Sequence, residues 1–206
     1  MLKIWGRLSS VNVQKVVWCA DELGLAYERV DVGGTFGGND TAEYLAKNPN
    51  GLVPVIEDDG FVLYESNAIV RYLVAKHSEG TLWPRDPHQR ADVDRWMEWQ
   101  STGYTPAMLV SFWQLCRTPP EKRDAAAIEA SRTKGEKFAA VLDRHLEGRE
   151  FVANAAFSPA DITVGCATHR WLGLPMEKQA RPNIERWYAT LKSRPGARQV
   201  LSQPVS

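Results

Sequence analysis

The alternation of apolar and polar positions in the first third of the chain predicts elements in the order β-α-β-α-β-β-α. An apolar strand over residues 2–6 precedes the stretch VNVQKVVWCADELG, residues 11–24, whose apolar residues recur at helical spacing. A second strand is predicted over residues 27–32 and a short helix over residues 41–47. A strand, a helix and a strand this close together predict a βαβ unit with a right-handed crossover.

The segment NPNGLVPVIEDDGFVLYES, residues 48–66, predicts a β-hairpin. Its apolar runs, 52–56 and 61–64, flank an Asp-Asp-Gly turn in which Gly60 is free to adopt positive φ. Pro54 cannot donate to a strand ladder, which favours an edge strand or the start of a strand. The alternative is a cis Val53–Pro54 peptide bond whose turn presents the backbone N–H and C=O of Val53 to a bound peptide.

Glu65 and Ser66 directly follow the hairpin and begin a helical pattern over residues 66–77. A serine at a helix N-terminus beyond a strand can bind an anion through its hydroxyl and the free backbone N–H groups. The alternative is that Ser66 only caps the helix.

The rest of the chain reads as helix after a linker over residues 79–87, which contains glycine and proline and has no periodic pattern. In the first long helix, Pro106 is expected to cause a kink one turn earlier, near residues 102–104. The sequence Ser158-Pro159-Ala160-Asp161 predicts a helix start with a capping box. Further helices are predicted over residues 121–146, 183–193 and 195–202.

The predicted fold is therefore an α/β N-terminal domain over residues 1–78, the linker, and an all-helical C-terminal domain over residues 88–206. The order of elements in the first domain resembles that of a thioredoxin-like domain. The VP turn, the Asp-Gly hairpin and the E-S pair together resemble the glutathione site of the cytosolic glutathione transferases. The resemblance extends over essentially the whole chain.

This resemblance implies which residues bind glutathione. The Val53–Pro54 bond is expected to be cis, with the valine backbone pairing with the cysteinyl part of glutathione. Glu65 and Ser66 are expected to hold its γ-glutamyl end. For the glycyl end, several classes of the family carry a basic residue, Gln or His in the NPxxxVP segment. Here Asn50 is the only polar candidate there, and Asn39 in the preceding loop is a second.

Glutathione transfer requires a thiolate at neutral pH, whereas a free thiol has a pKa of about 8.5. A hydrogen-bond donor and a helix N-terminus can lower that pKa. Theta- and delta-class transferases activate the thiol with a serine in the turn before the first helix. Alignment on that helix places this serine at Ser10. The sequence from Asn12 to Lys15 instead matches the N-x-x-K pattern of nu-class and prion-regulator-like members. We expect Ser10 as donor and Asn12 as a second donor or its replacement; the alternative is that both only cap the first helix.

An electrophile site is expected between the domains, with Tyr104, Met108 and Trp113 as candidate walls. Each of these three side chains is equally compatible with the core of the helical bundle. The family resemblance also implies a C2 homodimer.

Composition narrows the function classes. The 206 residues carry 25 basic and 25 acidic side chains, so the formal net charge is zero and a nucleic-acid role is unsupported. No signal peptide or membrane span is predicted, which favours a cytoplasmic protein. Three widely spaced cysteines predict neither a disulfide framework nor a redox pair, and the four histidines show no metal-ligand spacing.

The leading hypothesis is an enzyme that activates the glutathione thiolate for attack on a hydrophobic electrophile. A second hypothesis uses the same site for a glutathione-dependent peroxidase or disulfide reductase, and Asn12 supports it. A third is a non-catalytic protein of the same fold that binds ligands or regulates a partner. The sequence contains no motif that identifies the electrophile.

Overall fold

The computed structural model describes residues 1–206, which form two compact units. A thioredoxin-like unit comprises Met1–Arg85 together with Arg194–Gln203. A helical unit comprises Asp86–Ser193 and Pro204–Ser206. The sequence pattern assigned all residues after 87 to the helical domain, so the return of Arg194–Gln203 to the first unit is a difference from that expectation.

The predicted order β-α-β-α-β-β-α is confirmed in the thioredoxin-like unit. The strands are β1 Leu2–Trp5, β2 Tyr27–Val30, β3 Val55–Asp58 and β4 Phe61–Tyr64, and the helices are α1 Val11–Glu22, α2 Ala42–Lys47 and α3 Ser66–His77. The strands form one mixed sheet in the order β2-β1-β3-β4. β1 is parallel to β2 and antiparallel to β3, and β3 is antiparallel to β4.

The hairpin forms as predicted, with its first strand displaced along the sequence. β3 begins at Val55, three residues after the predicted start, because Pro54 has no N–H to contribute to the ladder. Asp59 (φ 49°) and Gly60 (φ 88°) both adopt positive φ, which is the backbone of a type I′ turn. The hairpin therefore brings Glu65 and Ser66 back beside the turn that precedes β3.

The segment after residue 193 packs on α1. Arg194 forms a salt bridge with Glu22, its Nε lying 3.1 Å from Oε1, and the Tyr27 hydroxyl lies 3.1 Å from Oε1 of Gln199. Gly196 approaches the backbone of Glu22 so closely that an added Cβ would lie 2.9 Å from its Cα and N. The helical periodicity of this segment predicts an apolar face but does not identify the element that covers it. The segment contains a 3₁₀ turn, Pro195–Ala197, and a short final helix, α9 Arg198–Leu201.

The helical unit follows the predicted pattern. Pro106 lies in the first turn of α5, Thr105–Phe112, and the preceding residues Gln100–Tyr104 form a π-helical turn. The structure thus has a π-helical turn where the kink was predicted, beside a proline that cannot donate an i→i−4 hydrogen bond. A second π turn over Trp113–Arg117 ends α5 before Pro119. The helices of this unit are α4 Pro87–Trp99, α5 Thr105–Phe112, α6 Ala125–His145, α7 Pro159–Gly173 and α8 Pro182–Ser193.

The predicted capping box at the start of α7 is present, and Asp161 contributes more than the cap. One carboxylate oxygen of Asp161 accepts hydrogen bonds from the N–H (3.0 Å) and hydroxyl (3.2 Å) of Ser158. The other accepts from the Val152 N–H (2.9 Å) and the indole N–H of Trp187 (3.0 Å). Asp161 is fully buried and joins three segments of the helical unit.

Candidate functional site

The thioredoxin-like unit contains a cleft near the start of α1, the start of α3 and the turn before β3. The cleft brings together five of the residues that the sequence assigned to thiol activation and glutathione binding. Asn48 and Leu52 complete its lining, which does not include Ser10, Asn39 or Asn50. The lining residues are Asn12, Asn48, Leu52, Val53, Pro54, Glu65 and Ser66.

The turn before β3 is held by side chains beneath it. The Val53–Pro54 bond is cis, as the family resemblance implied. The carbonyl oxygen of Leu52 accepts hydrogen bonds from Nδ2 of Asn48 and from the Tyr44 hydroxyl, each at 2.8 Å. The backbone N–H and C=O of Val53 make no hydrogen bond to the chain's own backbone outside the ladders. Val53 therefore offers both backbone groups to an extended peptide.

The start of α3 combines an unusual backbone conformation with a helix N-terminus that has no side-chain cap. Glu65, the residue before the helix, has φ 72° and ψ 107°, a conformation that non-glycine residues rarely adopt. Such conformations cluster at ligand sites. The first intrahelical bond is donated by the Ile69 N–H to the Glu65 carbonyl, and no acidic side chain lies in the first turn. The N-terminus of α3 thus has the polarity that favours a bound anion.

Ser66 is almost completely buried, with 6% of its surface exposed. Behind it lies Lys15 of α1, whose side chain is also buried. The Nζ atom of Lys15 is 3.5 Å from Oγ of Ser66 and 3.2 Å from Oδ1 of Asn67. A cation therefore lies directly behind the N-terminus of α3.

The start of α1, like that of α3, has no side-chain cap. Ser10 is the N-cap residue by position, but its side chain makes no capping hydrogen bond. No acidic side chain lies in the first turn of α1, so its dipole favours an anion such as a thiolate. Asn12, in this first turn, lines the cleft. Neither side chain therefore serves the capping role that was the alternative interpretation of the sequence.

The two candidates for the glycyl end are engaged within the loop instead. Asn39 donates from Nδ2 to the Gly51 carbonyl at 2.8 Å. Asn50 donates from Nδ2 to Oδ1 of Asn48 at 3.0 Å. Each Nδ2 carries a second hydrogen, so both side chains keep one donor that could pair with a glycyl carboxylate.

The three candidate pocket residues of the helical unit differ in exposure. Tyr104 and Met108 are fully buried, and the Tyr104 ring packs on Trp99 at 5.2 Å between centroids. The structure therefore favours the core interpretation for these two, because helical periodicity marks the inner face of α5 without distinguishing core from pocket. Trp113 is 56% exposed.

The composition also gave expectations about the cysteines, about metal sites and about membrane spans. Cys19, Cys116 and Cys166 are all free thiols, and burial raises the pKa of Cys19 and of Cys116. No group of three or more His, Cys, Asp or Glu side chains is arranged to hold a metal ion. None of the helices has the length and apolar character needed to cross a membrane.

Three residues at or behind the cleft had no role assigned from the sequence: Asn48, Tyr44 and Lys15. Asn48 opens the NPxxxVP segment and Lys15 closes the N-x-x-K pattern, so both were visible as motif residues without an assigned role. Tyr44 gave no signal beyond its helical periodicity.

Comparisons with known proteins agree with this architecture. The glutathione S-transferase N-terminal domain family matches residues 5–81, and the C-terminal domain family matches residues 105–195. The chain is 40% identical over 208 residues to glutathione S-transferase GstB of Escherichia coli strain K12, with 100% of both proteins covered. It is 29% identical over 209 residues to the probable glutathione S-transferase GSTF2 of Oryza sativa subsp. japonica, covering 98% of this chain and 96% of that protein.

A solved structure extends the agreement to three dimensions. The theta class glutathione S-transferase from the citrus canker pathogen Xanthomonas axonopodis pv. citri, crystallised with glutathione bound, superimposes with a TM-score of 0.96. The two chains are 40% identical, and the match covers 100% of this chain and 99% of that one. This chain belongs to the cytosolic glutathione transferase family, and it is a glutathione transferase.

Proposed function

We propose that this enzyme binds glutathione in the cleft between the starts of α1 and α3 and conjugates its thiolate to a hydrophobic electrophile. The observation that carries the proposal is the common lining of this cleft by Asn12, Val53 and Ser66. These residues offer a thiol donor, a backbone partner and an anion-binding serine. Those are the three groups that a γ-glutamyl peptide with a reactive thiol requires.

The thiol is activated at the start of α1. Lowering a thiol pKa by two units requires about 2.7 kcal/mol of preferential thiolate stabilisation. The helix N-terminus and one or two side-chain donors can supply this amount. We propose Asn12 and Ser10 as these donors. Asn12 is supported by its place in the cleft lining, and Ser10 by a hydroxyl that makes no capping bond.

The remainder of glutathione is bound by the turn and by α3. Val53 pairs its backbone N–H and C=O with the cysteinyl residue, in the manner of an added strand. Ser66 and the N–H groups of the first turn of α3 receive the γ-glutamyl carboxylate, and Glu65 receives the γ-glutamyl amino group. Asn50 and Asn39 are retained as candidates for the glycyl end.

The electrophile is proposed to contact Trp113. This indole is exposed, and Leu109 and Val110 expose apolar surface one turn earlier on α5. Apolar surface of this kind suits a hydrophobic co-substrate or a partner subunit. We propose in addition a C2 homodimer, supported by exposed Leu52 and Phe61 on the thioredoxin-like unit, and a cytoplasmic location, supported by three free cysteines.

A glutathione-dependent peroxidase or disulfide reductase is the second candidate. The observation that favours it is Asn12 in the cleft lining, because asparagine near the sulfur is the pattern of the nu-like members named above. Turnover of hydroperoxides or mixed disulfides without turnover of aryl halides would select this reaction.

The test is a titration of enzyme-bound glutathione by thiolate absorbance, on the parent and on Ser10→Ala and Asn12→Ala. We expect a bound-thiol pKa of about 6–7 in the parent and a value closer to that of the free thiol, about 8.5, in the variant that lacks the main donor. Ser9→Ala is the matched control, since it removes a hydroxyl from the same turn.

The three variants separate the alternatives. A rise in the thiol pKa only in Ser10→Ala assigns the theta-like donor, and a rise only in Asn12→Ala assigns the nu-like one. Binding of glutathione without a lowered thiol pKa in the parent would overturn the proposed mechanism. Failure to bind glutathione would favour a non-catalytic role.

A further inference from the structure

We infer that Lys15 is a positioning residue for the anionic end of glutathione and acts through Ser66 and Asn67. The inference rests on the proposed binding of the γ-glutamyl carboxylate at Ser66, and it assigns a role to a side chain that does not line the cleft. It accounts for a buried lysine at a place where packing alone would suit an apolar residue.

The geometry fixes which way the Ser66 hydroxyl can donate. Lys15 has 2% of its surface exposed, and its Nζ lies 3.5 Å from Oγ of Ser66. An ammonium has only donors, so Oγ is the acceptor in this contact. The hydroxyl proton of Ser66 is then directed away from Lys15, and the cleft that Ser66 lines is where an acceptor can meet it.

Asn67 is oriented in the same way. Its Oδ1 accepts from Nζ of Lys15 at 3.2 Å, which identifies the amide oxygen as the atom facing α1. Ser66 and Asn67 are the first two residues of α3, so one ammonium group contacts both side chains at the anion-binding end of the helix. Movement of the Lys15 side chain would therefore disturb both.

The charge of Lys15 adds to the field of the helix. The N-terminus of α3 carries partial positive charge and has no acidic side chain in its first turn. A cation behind it raises the local potential further and favours a bound carboxylate. Because Lys15 is buried, salt screens this contribution less than it would screen that of a surface lysine.

A purely structural role for Lys15 makes a different prediction. If Lys15 only fastens α1 to α3, its loss weakens the binding of every ligand of the cleft equally. If it positions Ser66 for a carboxylate, its loss weakens only ligands that carry that carboxylate. A pair of ligands that differ in this group alone separates the two roles.

The experiment measures dissociation constants by calorimetry for glutathione and for 4-aminobutyryl-cysteinylglycine, which lacks only the α-carboxylate of the γ-glutamyl residue. The proteins are the parent, Lys15→Met, Ser66→Ala and the double variant. Lys134→Met is the matched control, because it removes the same charge from an exposed helical position. Lys15→Gln is a second, uncharged variant that keeps a donor if Lys15→Met does not fold.

We expect Lys15→Met to weaken glutathione binding about tenfold or more, as for the loss of a hydrogen-bonded charge, and to change binding of the analogue less than about twofold. The KM for glutathione should rise with kcat retained at saturation. In the double variant the two losses should be less than additive, since both remove the same directed donor. Lys134→Met should bind both ligands like the parent.

Two results would overturn the inference: one rejects the carboxylate subsite as well, and the other rejects only the role of Lys15. A parent that binds both ligands equally lacks the proposed carboxylate subsite, and then the glutathione assignment of Ser66 fails together with the role of Lys15. A parent that prefers glutathione and a Lys15→Met variant that keeps this preference would leave the subsite in place and reject Lys15 alone.

Discussion

Tyr44 and Asn48 donate to one acceptor, the carbonyl oxygen of Leu52, and both distances are 2.8 Å. The two donors come from α2 and from the residue that follows it, and the shared carbonyl directly precedes the cis Val53–Pro54 bond. The position of Val53 in the cleft therefore depends on one side chain of α2 and on that of the residue after it. Burial raises the pKa of Tyr44 to about 12, so its phenol remains a donor throughout the physiological pH range.

Removing either donor should loosen the turn. We expect Tyr44→Phe to lower the free energy of unfolding by about 0.5–1.5 kcal/mol, the usual contribution of one hydrogen bond. Asn48→Ala should cost more, because Oδ1 of Asn48 also accepts from the Asn50 N–H at 3.1 Å. Both variants should raise the KM for glutathione. Urea unfolding and steady-state kinetics measure the two effects.

Tyr64→Phe is the control for these variants, because its hydroxyl makes no hydrogen bond to another side chain or backbone group. It should unfold like the parent. An Asn48→Ala protein with the stability and KM of the parent would show that the turn before β3 does not depend on these contacts.

The capping box of α7 gives a prediction for the helical unit. Ser158→Ala should lower the free energy of unfolding by about 0.5–2 kcal/mol, as for other N-caps. Asp161→Asn should cost more, about 2–5 kcal/mol, because the amide nitrogen would face two of the four buried donors and leave them unsatisfied. Chemical denaturation measures both. Equal losses in the two variants would mean that the bonds from Val152 and Trp187 contribute little.

Short-range patterns explain what the sequence predicted well. The bounds of α3, the turn at Asp59 and Gly60, and the capping box at Ser158 each follow from residues within four positions of one another. The Val53-Pro54 pair is also a local motif, but by itself it is compatible with either a cis or a trans bond. Only the resemblance to a family predicted the cis bond.

Contacts between distant segments explain what was missed. Lys15 meets Ser66 across 51 positions, and no periodicity indicates that a lysine on α1 ends behind α3. Tyr104 illustrates a different limit. Its helical spacing was compatible with a pocket or a core, and only packing on Trp99 and Phe138 distinguishes the two. The segment after residue 193 likewise packs on α1 because of contacts with residues of α1, and its own apolar pattern does not identify that helix.

Asp161 also predicts how stability depends on pH. Burial raises the pKa of its carboxyl from 3.8 to about 6, although its four hydrogen bonds oppose the shift. The folded protein therefore holds a proton that the unfolded chain releases between pH 4 and pH 6. The contribution of Asp161 to the free energy of unfolding should be largest below pH 4 and fall by up to about 3 kcal/mol as the pH rises to 6.

Denaturation of the parent and of Asp161→Asn at pH 4, 5, 6 and 7 tests this dependence. The stability advantage of the parent over the variant should shrink as the pH rises through this window, because the asparagine does not titrate. An advantage that instead grows with pH would mean that the four donors outweigh burial and keep the carboxylate ionised.

The contact between Gly196 and Glu22 predicts that a single methyl group can disturb the thioredoxin-like unit. An alanine Cβ at position 196 would lie 2.9 Å from the Cα and N of Glu22, which are backbone atoms that cannot rotate away. Gly196→Ala should therefore shift the C-terminal segment and cost about 1–3 kcal/mol in urea unfolding. Arg198→Ala, at an exposed position in the same segment, is the control and should change stability by less than about 0.5 kcal/mol. Parent-like unfolding of Gly196→Ala would mean that the segment does not pack this closely against α1 in solution.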